Sequence, residues 1–308
     1  MQRALARILC LGALAAPALS CDDGTSATGG ALMGWELDAT NTGLRGDYSG
    51  LTDFDYDGAD AALGTLPEWN TLTIYAGATV EDRIISNELD LTAGGITLRR
   101  CLIRPTSVGQ GMPLVSAGDA VLEDCEIDGS LIADADIVYN IAVSGTGSIR
   151  RCDIHDAASG IYLNNDGATP SVAENDYVHD LRWISPAHMD GITVRGSTGA
   201  GVSILRNRSE CGSQDGCTGA FFSQPYNAAI DHLEIRGNLF AGYGYTLYVD
   251  NHGNGYGSDI RVVDNRLDPY DGAWGPFAMD DGVTLAEFSD NYLYDPSADD
   301  AKGAPVTF

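Results

Sequence analysis

The chain is 308 residues long, 44% apolar and 8% aromatic, and sets 44 acidic against 17 basic residues for a formal charge of −27. That apolar fraction is enough for a substantial core and excludes a disordered polymer in spite of the charge. With Lys302 as its single lysine, the chain lacks the basic surface that neutralises phosphates, which excludes nucleic acid as a partner and charge-driven docking on anionic membranes.

Residues 1–20 set Arg3 and Arg7 ahead of an apolar run, the build of a secretory signal peptide. No other stretch is long enough to cross a bilayer as a helix. Ala18-Leu19-Ser20-Cys21 resembles the lipobox of bacterial lipoproteins, with Ala18 standing where leucine is preferred. The resemblance implies lipidation of Cys21 and an exported, monomeric envelope protein that meets the membrane only through its anchor. Residues 21–34 are small and polar and read as a tether, residues 35–296 as the folded domain, and 297–308 as a C-terminal tail. Asp53-Phe-Asp-Tyr-Asp-Gly58 begins like a calcium loop, but a twelve-residue loop would close on Gly64 where glutamate is required. It reads as a solvated acidic turn.

An internal repeat organises the domain. Eight segments share one template: an apolar residue, two intervening residues, Asn or Cys, a spacer and a second apolar residue. The Asn or Cys positions are Cys101, Cys125, Cys152, Asn175, Asn207, Asn238, Asn265 and Asn291, at gaps of 24, 27, 23, 32, 31, 27 and 26; Ser209 breaks the second apolar column. Two short strands joined by a one-residue bend at a small polar side chain form the unit of a right-handed parallel β-helix. The chain is therefore read as an all-β solenoid of about eight to ten coils, stacked about 4.8 Å apart. The recurring Asn side chains then satisfy turn backbone along the stack, and the three cysteines replace them as small buried groups.

A third strand per coil follows a variable loop, in Gly160-Ile-Tyr-Leu-Asn, Gly191-Ile-Thr-Val-Arg, Ala220-Phe-Phe-Ser-Gln and Tyr245-Thr-Leu-Tyr-Val-Asp. Alternation points Ile161, Leu163, Ile192, Val194, Phe221, Leu247 and Val249 inward. It stacks Tyr162, Thr193, Phe222 and Tyr248 outward in one column, and Asn164, Arg195, Gln224 and Asp250 in the next. Such a strip suits a chain of sugar rings, whose faces stack on aromatics and whose hydroxyls take hydrogen bonds. Cys211 and Cys217 flank a short loop and are placed to close a disulfide in an oxidising compartment.

These segments, from Asn41-Thr-Gly through Cys125-Glu-Ile-Asp-Gly, Cys152-Asp-Ile-His-Asp and His188-Met-Asp-Gly-Ile to Val263-Asp-Asn-Arg-Leu, resemble the secreted pectate-lyase-like β-helix proteins of bacteria. That superfamily implies the fold and hosts lyases, hydrolases, isomerases, esterases and adhesins. Met189-Asp-Gly-Ile resembles one part of the polygalacturonase signature, but the paired-aspartate and Gly-His-Gly motifs that accompany it are absent from the sequence.

Three histidines, His155, His179 and His188, flank the loops that precede the outward strand. The repeat is expected to gather them with Asp156, Asp180 and Asp190 at one edge of the groove. That cluster could abstract the proton beside a uronate carboxylate, with Arg195 neutralising the enolate and Tyr162 or Tyr248 as acid or base, or bind calcium through Asp156, Asp180 and Asp190. Alternatively, each His-Asp pair is a turn whose side chains bond nearby backbone. His252, in a flexible Gly-rich loop, is a further contact. A polyuronate conflicts with the chain's charge over a Debye length of about 8 Å, so its binding requires a local arginine, Arg182 or Arg195, or bridging calcium. The expected function is a lyase-like enzyme on an extracellular polysaccharide, ahead of a hydrolase; the alternative is a non-catalytic glycan-binding or adhesive lipoprotein.

Overall fold

The computed structural model describes residues 31–212 and 216–307. The signal peptide, Cys21 and the tether up to residue 30 lie outside the described residues. From Thr52 the chain winds into a right-handed parallel β-solenoid of about nine coils. One coil runs Met189–Ser197, Val202–Leu205, Arg208–Glu210; the next runs Cys217–Ser223, Leu233–Arg236, Leu239–Gly242. Each strand pairs in parallel with its equivalent one coil on, and the last strands of the coils build an eleven-stranded sheet.

The bend into that sheet is a single left-handed residue. Arg100, Asp124, Arg151, Asn175, Arg206, Gly237, Asp264 and Asp290 have φ between 49° and 70°. The side chain that follows turns into the interior and joins a column: Cys101, Cys125, Cys152, Asp176, Asn207, Asn238, Asn265 and Asn291, none more than 2% exposed. Asp176, not Asn175, is the fourth member. Ile149 pairs with Ala173, one residue later than the template assumed, and Asn175 takes the left-handed bend that asparagine tolerates.

Within the column, Asn207 and Asn238 each donate main-chain and side-chain N–H to the Oδ1 of the next asparagine, at 2.8 to 3.1 Å. Their amides also reach back to the carbonyls of Ala173 and Ile204, at 2.9 Å. Each buried amide is thus paired, which is the condition for burying it at all. The cysteine thiols face the equivalent carbonyls of Val80, Leu98 and Leu122 at 3.6 to 3.7 Å. All three are free. Burial raises the thiol pKa of Cys125 and Cys152, and the bond to Cys125 and burial raise that of Cys101, so they pack as neutral groups.

Ile161, Leu163, Ile192, Val194, Phe221, Leu247 and Val249 all point inward and are essentially buried; each contributes about 1.5–3 kcal/mol by leaving water. Ser209 is also buried, and its hydroxyl donates to Ala220 O at 2.8 Å. That bond explains how a polar residue occupies an apolar column.

Residues 33–51 form no coil. They cross the outer face of the eleven-stranded sheet from late coils to early ones. Gly34 N–H donates to Gly237 O, Leu37 O accepts from Arg208, Gly43 N–H donates to Arg151 O, and Tyr48 Oη donates to Glu126. A side chain at Gly34 would place Cβ 2.2 Å from Asn207 O, so this close approach requires glycine. Trp35 covers the fully buried Arg266, whose guanidinium lies 3.9 Å from the ring centroid and pairs with Asp264 and Asp300. Residues 297–308, a tail by sequence, include a strand, Lys302–Pro305, that caps Tyr292–Tyr294 antiparallel. The acidic turn at Asp53 folds around Asp60, which is 2% exposed and holds Arg83 at 2.8 and 2.9 Å.

Candidate functional site

The first strands of successive coils present Tyr162, Thr193, Phe222 and Tyr248 in register. Beside them Arg195 Nη1 donates to Gln224 Oε1, and Gln224 Nε2 donates to Asp250 Oδ2 at 2.7 Å. Asn164 does not join this second column. The register shifts after Leu163, so that Asn164 pairs with Gly196; its amide oxygen accepts from Asn227 at 3.2 Å instead. The bulge inserts one residue that period-two alternation cannot anticipate.

A cleft of about 400 Å³ opens over this face, lined by Tyr139, Tyr162, His188, Asp190, Arg195, Thr218, Phe222 and Gln224. A second register shift falls beside Asp190: Met189 pairs with Cys217 and Asp190 with Gly219, leaving Thr218 unpaired. Asp190 is 2% exposed. Oδ2 accepts from the Tyr162 hydroxyl at 2.6 Å and lies 3.8 Å from Arg195 Nη2, whereas Oδ1 has no partner among the described residues. Burial pushes the Asp190 pKa up, against the pull of the Tyr162 hydrogen bond and the Arg195 charge. Burial and the Asp190 charge drive the Tyr162 phenol far above its ordinary value, so it stays protonated.

The Arg195 guanidinium lies 5.2 Å from the ring centroids of both Tyr162 and Phe222, and 5.9 Å from that of Tyr226. It therefore spans the gap over Thr193, which is fully buried and whose hydroxyl is unpartnered among the described residues. His188 is exposed at the rim, with Nδ1 3.3 Å from Thr218 Oγ1. Asp250 is saturated: besides Gln224 it accepts from His252 N–H at 2.7 Å and faces His252 Nδ1 at 2.5 Å.

His155 and His179 stack on adjacent coils as the repeat requires, with ring centroids 5.3 Å apart. They belong to the other face, under the segment 33–51. The left-handed residues Asp156 and Asp180 turn the chain away before it reaches the cleft, and His188 stands apart from both. His155 Nδ1 meets Asp156 at 2.8 Å and lies 3.8 Å from Asp128, while Nε2 lies 3.6 Å from Glu126. His179 is held by Asp153 and Asp180, at 2.8 and 2.7 Å. Burial alone would lower the His155 pKa, but Glu126, Asp156, Asp128 and Asp153 outweigh it and raise it to about 9. His179 is likewise raised, by Asp153 and Asp180 against burial.

Asp156, Asp180 and Asp190 thus sit in three separate partner sets and offer no common cation site. Two other groups bring their oxygens and nitrogens within 4.8 Å, Glu126/Asp128/His155 and Asp250/His252/Asp280. In the first the surrounding carboxylates raise the His155 pKa and favour the protonated imidazole; in the second Asp250 already accepts from Gln224 and from His252 N–H. Cys211 and Cys217 form a disulfide with Cα atoms 5.7 Å apart. Arg182 is spent on Gly129 O, Ile132 O and Asp134, away from the cleft lining. Tyr139, Thr218, Tyr226 and Trp274 escaped the sequence reading. Thr218 precedes the motif used to align the strands, and the three aromatics lie in loops with no period to mark them. Comparison of the chain with protein families, with curated proteins and with solved structures gives no match.

Proposed function

We propose that the protein is an exported, envelope-anchored, polysaccharide lyase-like enzyme of the pectate-lyase-like superfamily, acting on an extracellular glycan in the Tyr162–Asp190–Arg195 cleft. The observation that carries this reading is the unpartnered Oδ1 of a buried carboxylate whose pKa is raised, in a cleft with a single arginine. Such a carboxylate holds a proton more readily than an exposed one and is suited to proton transfer. Asp190 is the one carboxylate lining the cleft among the described residues, whereas hydrolysis at a glycosidic bond ordinarily uses two. Elimination needs one base beside a group that neutralises a uronate.

In this scheme the substrate carboxylate binds Arg195, which lowers the cost of the enolate. The Asp190 carboxylate takes the proton on the adjacent carbon, the C–H pair becomes the C=C bond, and the glycosidic C–O bond breaks. The neutral Tyr162 hydroxyl protonates the leaving oxygen and is reprotonated by Asp190 across their 2.6 Å hydrogen bond. His188 at the rim is a second donor to that oxygen. Tyr162, Phe222 and Tyr248 line the sugar path, and Gln224 and Asp250 hold the arginine.

Incubating the purified protein with uronate-containing polysaccharides, with calcium and with chelator, is expected to produce absorbance from unsaturated uronate, and Asp190→Asn to abolish it. New reducing ends without that absorbance would mean hydrolysis. The second reading, a non-catalytic glycan-binding surface protein, draws on the aromatic strip alone and predicts retention on a glycan with neither signal.

A further inference from the structure

We infer that the cleft takes a heteropolysaccharide in which the uronate gripped by Arg195 is followed by uncharged sugars, stacked along an aromatic strip that ends at Trp274. The inference rests on the glycan reading above and specifies its substrate. From Phe222 the rings continue toward the later coils: Phe222 to Tyr248 at 5.4 Å, Tyr248 to Tyr245 at 5.2 Å, and Tyr245 to Trp274 at 5.6 Å between centroids. Each step is close to the width of one sugar ring. Trp274 is 62% exposed, a large aromatic left in water at the end of a continuous row, whereas large apolar groups are normally covered unless a partner covers them.

Charge separates the two halves of the strip. Among the described residues, Arg195 is the only Arg or Lys side chain lining the cleft. Beyond it, beside the Tyr248 ring, stand Asp250 and Asp280; the Tyr248 hydroxyl donates to Asp280 at 3.3 Å, and Asp281 is exposed next in sequence. His252 lies between Asp250 and Asp280, at 2.5 and 3.5 Å, and sets at most one positive charge against their two. A polymer with a carboxylate on every residue would bring like charges together within a Debye length. Neutral rings avoid that repulsion and keep the stacking.

The test is electrophoresis of the full chain in native gels containing hyaluronan, in which uronate alternates with neutral N-acetylhexosamine, or polygalacturonate, in which every residue is charged. Hyaluronan is expected to retard the protein at concentrations at least about tenfold lower than polygalacturonate does, and Trp274→Ala to weaken hyaluronan retardation about tenfold while leaving any retardation by polygalacturonate unchanged. Equal or tighter retention by polygalacturonate, no retention by hyaluronan, or an unchanged Trp274→Ala variant overturns the inference. Unsaturated product is measured on the same samples. Retention by hyaluronan without product overturns the lyase reading and leaves this inference standing; product with an unchanged Trp274→Ala variant does the reverse.

Discussion

The Tyr162 hydroxyl and the Arg195 guanidinium both converge on Asp190 Oδ2, at 2.6 and 3.8 Å, and leave Oδ1 unpartnered. One oxygen is stabilised in its charged form while the other is buried without a hydrogen-bond partner among the described residues. Tyr162→Phe removes a donor to the carboxylate, and burial then drives the Asp190 pKa further up. The acid limb of the pH profile of kcat/KM is expected to move to higher pH, with kcat lowered roughly 100-fold. An acid limb that stays in place detaches Tyr162 from the titration of Asp190.

Asp250 acts on the cleft through Gln224. Because Asp250 can only accept, the Gln224 amide must turn its NH2 toward it and its oxygen toward Arg195. Asp250→Asn keeps an oxygen for the His252 N–H but offers an NH2 to Gln224. The glutamine amide then flips and confronts Arg195 with donors. The expected outcome is KM raised about tenfold, the equivalent of about 1.4 kcal/mol, with kcat nearly unchanged and Gln224→Ala giving the same split. A fall in kcat alone would assign Asp250 a direct part in the chemistry instead.

The stacked histidines make stability depend on pH. His155 has a pKa of about 9 in the fold against 6.5 in the unfolded chain, so the folded state retains a proton that the unfolded chain releases. The stabilisation is complete below pH 6.5 and is lost as pH rises through 9, by up to about 3 kcal/mol; His179 adds to it with the same sign. Urea unfolding at pH 6 and pH 9.5 should show that drop, and His155→Gln should reduce it by the share that His155 contributes. A wild-type protein equally stable at both values would show that these imidazoles are neutral in the fold.

The solenoid was legible because its unit is short and repeats. A polar residue bracketed by apolar ones at gaps near one coil points to stacking, and the columns of Ile161 and Tyr162 follow from strand alternation alone. What alternation cannot carry is a bulge, and both bulges fall at the site: one removes Asn164 from its column and the other leaves Thr218 unpaired beside Asp190. The histidines illustrate a second limit. The repeat places His155 over His179, but which face they occupy depends on the left-handed corners at Asp156 and Asp180, and Tyr48, which donates to the neighbouring Glu126, comes from a segment 78 residues away from it. Period says nothing about a strap laid across the outside.

Asp176 marks the junction of the thiol and asparagine parts of the interior column. Its Oδ1 and Oδ2 accept from Cys152 N–H and Glu174 N–H at 2.8 and 3.1 Å, and its own N–H donates to Asn207 Oδ1. Full burial raises its pKa to about 8, against 3.8 when exposed, despite those two backbone donors. The folded state therefore holds a proton that the unfolded chain loses near pH 4, and stability declines as pH rises from about 4 through 8. Asp176→Asn abolishes this titration. Its amide can donate to Asn207 Oδ1 as the later rungs do, at the cost of the Glu174 bond. The variant is expected to be close to wild type at pH 4 and more stable at pH 9 by about 1–3 kcal/mol, since no charge is left buried. Unfolding free energies across that range decide the matter: a wild-type slope between pH 4 and 6.5 that persists in Asp176→Asn would place the titrating group elsewhere.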